Sequence, residues 1–244
     1  MKIQNLFQNR IFAYFAAVFC TLLWGTAFPF IKLGYSSFEI AESDIGSKLL
    51  FAGLRFAIAG VMVLVFLCVC ERKFTLPNKD EILPVTVLGL VMTAGQYIFT
   101  YIGIGFTSGT NTSIITACAS FFTVLSAPLF FKNDKLTAFK VIGCALGFAG
   151  VLAINRGGKI SVDTLFGDVM ILVSTLCSAA GNILSKKLAN GRNPVKITAF
   201  QLLIGGIVLT IIGLACGGRL SFEKMQSSFI LLWLAFVSAA AFTI

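Results

Sequence analysis

The chain has 244 residues, of which 57% are hydrophobic and only 12% are charged, and its formal net charge is +9. Soluble domains carry about 25% charged residues, so this composition excludes an ordinary water-soluble domain and indicates an integral membrane protein. Histidine is absent, which removes the commonest general base and metal ligand. The seven scattered cysteines form no C-x-x-C pair, so we expect neither a metal site nor a disulfide framework.

Eight apolar segments separated by short loops follow one another along the chain. A transmembrane helix needs about 20 apolar residues, and residues 82–131 contain no charged residue, which is enough for two spans and a turn. The fold class predicted is therefore all-α, a polytopic bundle of membrane helices in which neighbours are antiparallel. The predicted spans lie near residues 11–34, 48–70, 82–104, 110–131, 137–155, 166–186, 196–217 and 228–244.

Basic residues are distributed unevenly over the loops. With the N-terminus inside, twelve lysines and arginines fall on the cytoplasmic side and five on the other side. Such an excess is typical of cytoplasmic loops. The sequence therefore predicts a multi-pass protein of a cell membrane, such as a bacterial inner membrane, with a cytoplasmic N-terminus and the lipid bilayer as its surroundings.

The second half of the chain echoes the first. Residues 54–60 match residues 200–206 at a distance of 146 positions, so that Arg55 corresponds to Gln201 and Gly60 to Gly206. The echo predicts two copies of a five-span unit, in residues 1–157 and 158–244, the second with about three spans. Because five is odd, the second copy must insert the other way up, as in the inverted repeats of secondary transporters.

Three sequence stretches carry a resemblance to a known family. They are WGTAFPFIK at residues 24–32, LRF at residues 54–56, and DKLT at residues 134–137, the last followed by Gly143 and by GVL at residues 150–152. In this order the stretches resemble the EamA family of the drug/metabolite transporter superfamily. The resemblance implies a ten-helix fold of two inverted five-helix repeats that moves small organic solutes.

The same repeat makes a prediction about the second copy. Ile244 corresponds to Phe99, so we expect the equivalents of about residues 100–155 to be absent. A second copy with three spans would leave a cavity open to lipid on one flank. We therefore expect that the chain does not complete a transport cycle as a monomer.

Charged residues at membrane depth are the first candidates for a transport pathway. Arg55 lies about eight residues inside its span, and a charge at that depth normally faces a cavity or a partner. It could attract a carboxylate or phosphate group of a solute; alternatively, it makes a structural hydrogen bond or snorkels to the interface. Lys32, at the outer end of the first span, either snorkels as well or forms a basic vestibule with Arg55.

Polar and aromatic residues within the spans complete the candidates. Gln96, Tyr97 and Tyr101 lie in the third span, where they either line the pathway with Arg55 in an outward-facing cavity or act as interfacial aromatics. Trp24, near the kink expected at Pro29, either serves a gate or simply packs. In the second copy the polar residues at membrane depth are Asn182 and Gln201. The pathway candidates are Trp24, Lys32, Arg55, Gln96, Tyr97, Tyr101, Asn182 and Gln201.

No catalytic constellation, ATP-binding motif or dinucleotide fingerprint occurs in the sequence. We therefore expect no enzyme, no cofactor and no nucleic-acid partner. Gly143-x-x-x-Gly147 and Gly213-x-x-x-Gly217 either pack helices within the chain or support a homodimer. The sequence predicts a permease that exports a small polar metabolite by alternating access. The alternatives are a polytopic membrane enzyme or assembly factor that acts on lipid, and a truncated product without activity.

Overall fold

The computed structural model describes residues 10–41, 43–72, 76–107, 109–131, 136–154, 165–222 and 224–243. Within these ranges the chain forms helices and no strand, which confirms the predicted all-α class, and each helix coincides with a predicted span. The helices are α1 (Arg10–Ser37), α2 (Ile45–Glu71), α3 (Lys79–Ile104), α4 (Gly109–Phe130), α5 (Ala138–Ile154), α6 (Leu165–Ala189), α7 (Pro194–Ala215) and α8 (Met225–Thr243).

Most of these helices have the length and composition of membrane spans. Across the described ranges, five stretches qualify in α1, α2, α3, α6 and α7, the longest being Ile45–Glu71. The apolar stretches of α4, α5 and α8 are shorter: Ile114–Phe130, Ala138–Gly150 and Met225–Ala241. The chain is a helical membrane protein; which of its ends faces the cytoplasm stays a prediction.

Local signals explain where the helices α2 and α7 begin. Asp44 caps α2, since its carboxylate accepts a hydrogen bond of 2.9 Å from the amide of Ser47. Asn193 caps α7 in the same way by accepting from Val195 at 3.0 Å. It is followed directly by Pro194, whose fixed φ and missing N–H suit the first helical turn.

Helix α3 contains an irregularity that hydropathy does not predict. Its residues Gly89–Gly95 form a π-helical segment between two α-helical parts, Lys79–Leu88 and Gln96–Ile104. Extra-residue turns of this kind occur frequently at functional sites. The segment lies midway along the helix, and it immediately precedes Gln96 and Tyr97.

Helices α2 and α7 form the central pair of the bundle, and they run antiparallel in very close contact. A β-carbon on Gly60 would lie 2.6 Å from the amide nitrogen of Leu203, and one on Gly206 would lie 2.3 Å from the amide nitrogen of Ala57. Both glycines and both contacted residues are separated by 146 positions, so the contact is reciprocal, as at a two-fold interface. This is the arrangement expected of two inverted copies. The division into repeats at residue 157 stays a prediction.

The core extends outward from this pair. Phe56, Leu202 and Leu209 are fully buried in the cluster around α2 and α7, and Ala94 of α3 and Ala235 of α8 close the cluster on two sides. Lipid tails are as apolar as these side chains, so close packing stabilises the bundle more than the removal of apolar surface from water does. Small residues at the contacts permit that packing.

The α2–α7 pair has two opposite ends, which we call the Glu81 end and the Ser47 end. The Glu81 end contains the end of α2, the start of α3 and the connection from α6 to α7. The Ser47 end contains the end of α1, the start of α2 and the connection from α7 to α8. The N-terminus of α1 lies at the Glu81 end, because α1 finishes at the Ser47 end.

The Glu81 end is held by charged groups. The Nζ of Lys196 lies 2.7 Å from the carboxylate of Glu81, and both side chains are less than a tenth exposed. Arg192 adds a second contact, with its Nε 3.6 Å from the same carboxylate. The side-chain amide of Asn193 donates to Glu71 at 2.7 Å. These contacts bind α7 to both α2 and α3.

The Ser47 end is held mostly by neutral groups. The hydroxyl of Ser47 donates to the carbonyl of Arg219 and accepts from the amide of Arg219, both at 2.9 Å. The hydroxyls of Ser37 and Ser227 share a hydrogen bond of 2.8 Å. The ion pair at this end, Lys224 with Glu39 at 3.1 Å, is more than half exposed on both sides.

Candidate functional site

A row of polar residues spaced by four along α3 meets the helices around it. Thr93, within the π-helical segment, accepts a long hydrogen bond of 3.5 Å from the amide of Gln201 on α7. Tyr97, four residues later, faces Arg55 on α2, with 5.7 Å between the guanidinium carbon and the ring centroid. The row therefore connects α3 with both members of the central pair.

Arg55 is buried among aromatic rings. It is 3% exposed, and its guanidinium carbon lies 4.3 Å from the ring centroid of Phe56. Aromatic faces attract a cation at these distances. The Nε of Arg55 is buried and has no hydrogen-bond partner among the described residues. The aromatic rings therefore compensate part of the positive charge of the Arg55 guanidinium, and its Nε–H donor makes no hydrogen bond within the described structure.

Two tyrosines extend this environment toward the Ser47 end. The ring of Tyr101 lies 6.2 Å from that of Tyr97. Tyr35 on α1 packs against the same buried cluster, which contains Phe56 and Tyr101. We call these residues the Arg55 cluster: Tyr35, Arg55, Phe56, Tyr97 and Tyr101.

An open cavity of about 510 Å³ lies on the other side of Thr93. Its volume falls within the roughly 300–1,000 Å³ of small-molecule sites. Five helices contribute to its lining, which includes several hydroxyl- and amide-bearing side chains and no charged side chain. We call it the Gln201 cavity; it is lined by Cys20, Thr21, Met92, Asn182, Ser185, Thr198, Gln201 and Ala241.

The Gln201 cavity lies in the half of the bundle nearer the Glu81 end. Ser185 is four residues before the end of α6, and Thr198 is four residues after the start of α7. Thr93 and Tyr97 are about one helical turn, or 5 to 6 Å, apart along α3. The cavity and the Arg55 cluster are therefore neighbours along one line through the bundle.

A second cavity offers a contrast. It has a volume of about 450 Å³, lies between α4 and α6, and is lined mostly by apolar side chains such as Phe122 and Leu176. The polar groups of the Gln201 cavity make it the better candidate for a polar solute.

The structure brings together five of the eight predicted pathway residues, in two groups. Arg55, Tyr97 and Tyr101 belong to the Arg55 cluster, and Asn182 and Gln201 line the Gln201 cavity. Of the remaining candidates, Lys32 is exposed on α1 and Gln96 is half-buried, and neither lines that cavity; the side chain of Trp24 lies outside the described part of the structure. A cavity shared by Arg55, Gln96 and Tyr97 stays a prediction.

Several residues of these groups escaped the sequence analysis. Ser185 and Thr198 stand three positions from Asn182 and Gln201, so helical spacing could have found them. Tyr35 offered no such signal, because only tertiary packing, including its ring contact with Phe51 on α2, brings it to this cluster.

Comparisons with known proteins agree with this architecture. The sequence profile of the EamA-like transporter family matches residues 11–156 and again residues 165–244. The chain is similar to the "Uncharacterized inner membrane transporter YedA" of Escherichia coli K12, with 27% identity over 227 residues, which is 91% of this chain and 69% of the relative. It is also similar to the "Uncharacterized transporter YoaV" of Bacillus subtilis, with 28% identity over 195 residues, 78% of this chain and 63% of the relative.

A solved crystal structure has the same fold. It superimposes with a TM-score of 0.71 at 18% sequence identity, over 92% of this chain and 77% of the other. The likeness extends over most of the helices described above.

Proposed function

Because the chain belongs to the EamA-like transporter family, we propose that it is a permease that moves a small polar metabolite across a cell membrane by alternating access. The observation that supports this proposal most directly is the Gln201 cavity. Polar groups are costly within the hydrocarbon region of a membrane, so the polar side chains that line this cavity, such as those of Asn182 and Ser185, are best explained by contact with water or solute.

The two closures of the bundle support the mechanism. At the Glu81 end, the ion pair between Glu81 and Lys196 joins α3 to α7, and at the Ser47 end serine hydrogen bonds join α1 and α2 to the α7–α8 region. Both closures connect the first half of the chain to the second. Alternating access needs such contacts, because each must separate in turn when one half rocks against the other.

The orientation follows from the distribution of basic residues. With a cytoplasmic N-terminus, the Glu81 end faces the cytoplasm and the Ser47 end faces outward. Export then begins with entry of the solute at the Glu81 end into the Gln201 cavity. Release requires the Arg55 cluster to open toward the Ser47 end.

Accessibility of Cys20 tests this mechanism, because Cys20 lines the cavity and is partly buried. A variant that keeps Cys20 and carries alanine at the other cysteines is reconstituted into liposomes and treated with a membrane-impermeant thiol reagent from either side. We expect modification from the Glu81 side, slowed by any solute that the protein transports. A matched variant that keeps only Cys70, which is exposed, should be modified at a rate that no solute changes.

The solute itself is sought by flux from liposomes loaded with a panel of labelled polar metabolites. Asn182→Ala and Thr198→Val should reduce flux while leaving labelling of the Cys70 variant intact. Mass analysis of the recovered solute separates a permease, which returns it unchanged, from a membrane enzyme, which alters it. Absence of flux for the whole panel, together with a Cys20 that reacts from neither side, would contradict the proposal.

A further inference from the structure

Among the residues that the structure describes, no carboxylate forms an ion pair with Arg55. The acidic residues of the chain all lie outside residues 45–70, 82–133 and 169–222, so none stands in the interior of α2, α3, α4, α6 or α7. In the described structure, the ion pairs of the Glu81 end and the Ser47 end involve other cations. An arginine remains protonated in proteins. The Arg55 cluster therefore contains one formal charge that no carboxylate within the described ranges neutralises.

The geometry of the cluster fits a planar anionic group. Phe56 and Tyr97 meet the guanidinium at ring-centroid distances of 4.3 and 5.7 Å, and its Nε is buried without a partner among the described residues. The guanidinium fork matches a carboxylate, with which it forms two parallel charge-assisted hydrogen bonds. The ring of Tyr97 faces the same guanidinium, and a tyrosine hydroxyl can donate a further hydrogen bond to a bound carboxylate.

We propose that Arg55 binds the carboxylate of the transported solute, and that the rest of the solute extends toward Gln201 and Thr93, which lie on the Glu81 side of the cluster. This inference rests on the proposed transport function. It defines a substrate class: a small monocarboxylate that also carries an uncharged hydrogen-bonding group. The hydroxyl and amide lining of the Gln201 cavity accommodates that second group.

Charge balance disfavours two neighbouring classes of solute. A phosphate dianion would leave one negative charge unpaired beside a single guanidinium. An amino acid would bring an ammonium group into a region where the described residues of the Arg55 cluster and the Gln201 cavity include no carboxylate. Hydroxy acids and amide-bearing acids are therefore preferred over amino acids of the same length.

Binding requires a local movement, because Arg55 is only 3% exposed in this structure. The π-helical segment Gly89–Gly95 immediately precedes Tyr97 on α3. A change of this segment to α-helix would shift Tyr97 relative to Arg55. The segment thus provides a hinge at the position where the site must open.

Arginine-specific NMR tests the binding step. The full chain is labelled with ¹⁵N in its arginine side chains, and the Nε–H resonance of Arg55 is assigned with the variant Arg55→Lys. The probes are γ-hydroxybutyrate, γ-hydroxybutyramide and γ-aminobutyrate, which share one length. We expect γ-hydroxybutyrate to shift the resonance at millimolar concentration, the amide to leave it unchanged, and γ-aminobutyrate to bind at least about tenfold more weakly, the loss of one charge-matched contact.

Variants test the two halves of the site separately. Arg55→Gln should reduce flux of γ-hydroxybutyrate by about tenfold or more, and Tyr97→Phe should reduce it less. Gln201→Leu should weaken binding of γ-hydroxybutyrate but leave that of butyrate, which lacks the hydroxyl, unchanged. Thermal unfolding of each variant reports whether it is folded, and the NMR titration of the unaltered chain does not depend on any variant.

Some results would overturn the inference and leave transport standing. An Arg55 resonance that neither carboxylate moves, or a folded Arg55→Gln variant with unchanged flux of γ-hydroxybutyrate, would remove the carboxylate site. Solute-protected labelling of Cys20 would show in the same samples that the transport proposal survives. If Cys20 is inaccessible and nothing is transported, the transport proposal itself fails.

Discussion

The two ends of the bundle are closed by different chemistry, although the same helices, α2 and α7, run through both. At the Glu81 end the contact between halves is an ion pair of 2.7 Å between two buried side chains. At the Ser47 end the corresponding ion pair, Lys224 with Glu39, lies in solvent, and buried serines make the closure. The Glu81 end is therefore closed by a strong interaction between charged groups, and the Ser47 end by several weaker hydrogen bonds between neutral groups.

The difference indicates how each end can open. Removing one partner of a buried ion pair costs about 3–5 kcal/mol, whereas an exposed pair contributes about 0–1 kcal/mol. Opening the Glu81 end also lets water reach Glu81 and Lys196 together, so the lost contact is offset by hydration of both ions. The buried ion pair of Glu81 and Lys196 can thus stabilise the closed Glu81 end and still allow that end to open, because both ions are hydrated when they separate.

The largest expected effect is that of Lys196→Met. It leaves Glu81 buried with only Arg192 near its carboxylate, so we expect a loss of about 3–5 kcal/mol in the free energy of unfolding, less what Arg192 recovers. Thermal or denaturant unfolding in detergent, followed by circular dichroism, measures the loss. The double variant Glu81→Leu with Lys196→Met should recover most of it, since no buried charge remains. If Lys196→Met lowered the free energy of unfolding by less than about 1 kcal/mol, its ion pair would contribute no more than an exposed one, and the contrast between the two ends would disappear.

Gly206→Ala tests the close contact between α2 and α7, the two helices that connect both ends. The added β-carbon would lie 2.3 Å from the amide nitrogen of Ala57, a backbone atom that cannot rotate away. We expect a loss of about 1–3 kcal/mol through separation of α2 and α7. The control is Gly143→Ala, because a β-carbon on Gly143 meets no described atom within 4 Å. Equal stability of the Gly206→Ala and Gly143→Ala variants would contradict the close packing of α2 against α7.

Ser47→Ala should have a moderate effect at the neutral end. Ser47 is 1% exposed and exchanges two hydrogen bonds with the backbone of Arg219. Leaving those backbone groups without a partner should cost about 1–2 kcal/mol in the free energy of unfolding. Ser36→Ala, at an exposed serine of the same end, serves as the matched control. A cost equal to that of Lys196→Met would remove the contrast between the ends.

Asp44→Ala should have a smaller effect that depends on pH. The hydroxyl and then the amide of Ser47 hold the pKa of the Asp44 carboxyl below its ordinary value. The stabilisation is therefore present above that ordinary value and is lost as the pH falls through the lower pKa of the folded protein. We expect a cost of about 1 kcal/mol at neutral pH, shrinking in acid, measured by thermal unfolding across pH. Asp44→Asn retains a capping oxygen and should show little of this pH dependence.

Lys224→Met should have the smallest effect. Its ion pair with Glu39 is 53% and 66% exposed, so the expected change in the free energy of unfolding is about 0–1 kcal/mol and decreases further with added salt. Titration of salt against the unaltered chain measures the screened part. A salt-independent loss of several kcal/mol would show that both ends rely on strong ion pairs.

The sequence by itself determined the class of the protein and the number and position of its described helices. These properties depend on local composition: apolar length specifies a membrane helix, and polar loops separate the helices. The echo between residues 54–60 and 200–206 also anticipated that Gly60 and Gly206 play matching roles, which the reciprocal contacts of α2 and α7 now support.

Only the tertiary structure decided which side chains meet. Glu81 and Lys196 are far apart in sequence and each resembles an ordinary loop charge, yet packing places them 2.7 Å apart and out of solvent. Tyr35 packs against the cluster around α2 and α7, and Cys20 lines the Gln201 cavity, through helix rotations that hydropathy does not encode. In an apolar bundle nearly every face is hydrophobic, so periodicity cannot select the inward face; the close approach of small residues such as Gly60 and Gly206 does so, and that depends on the whole set of neighbours.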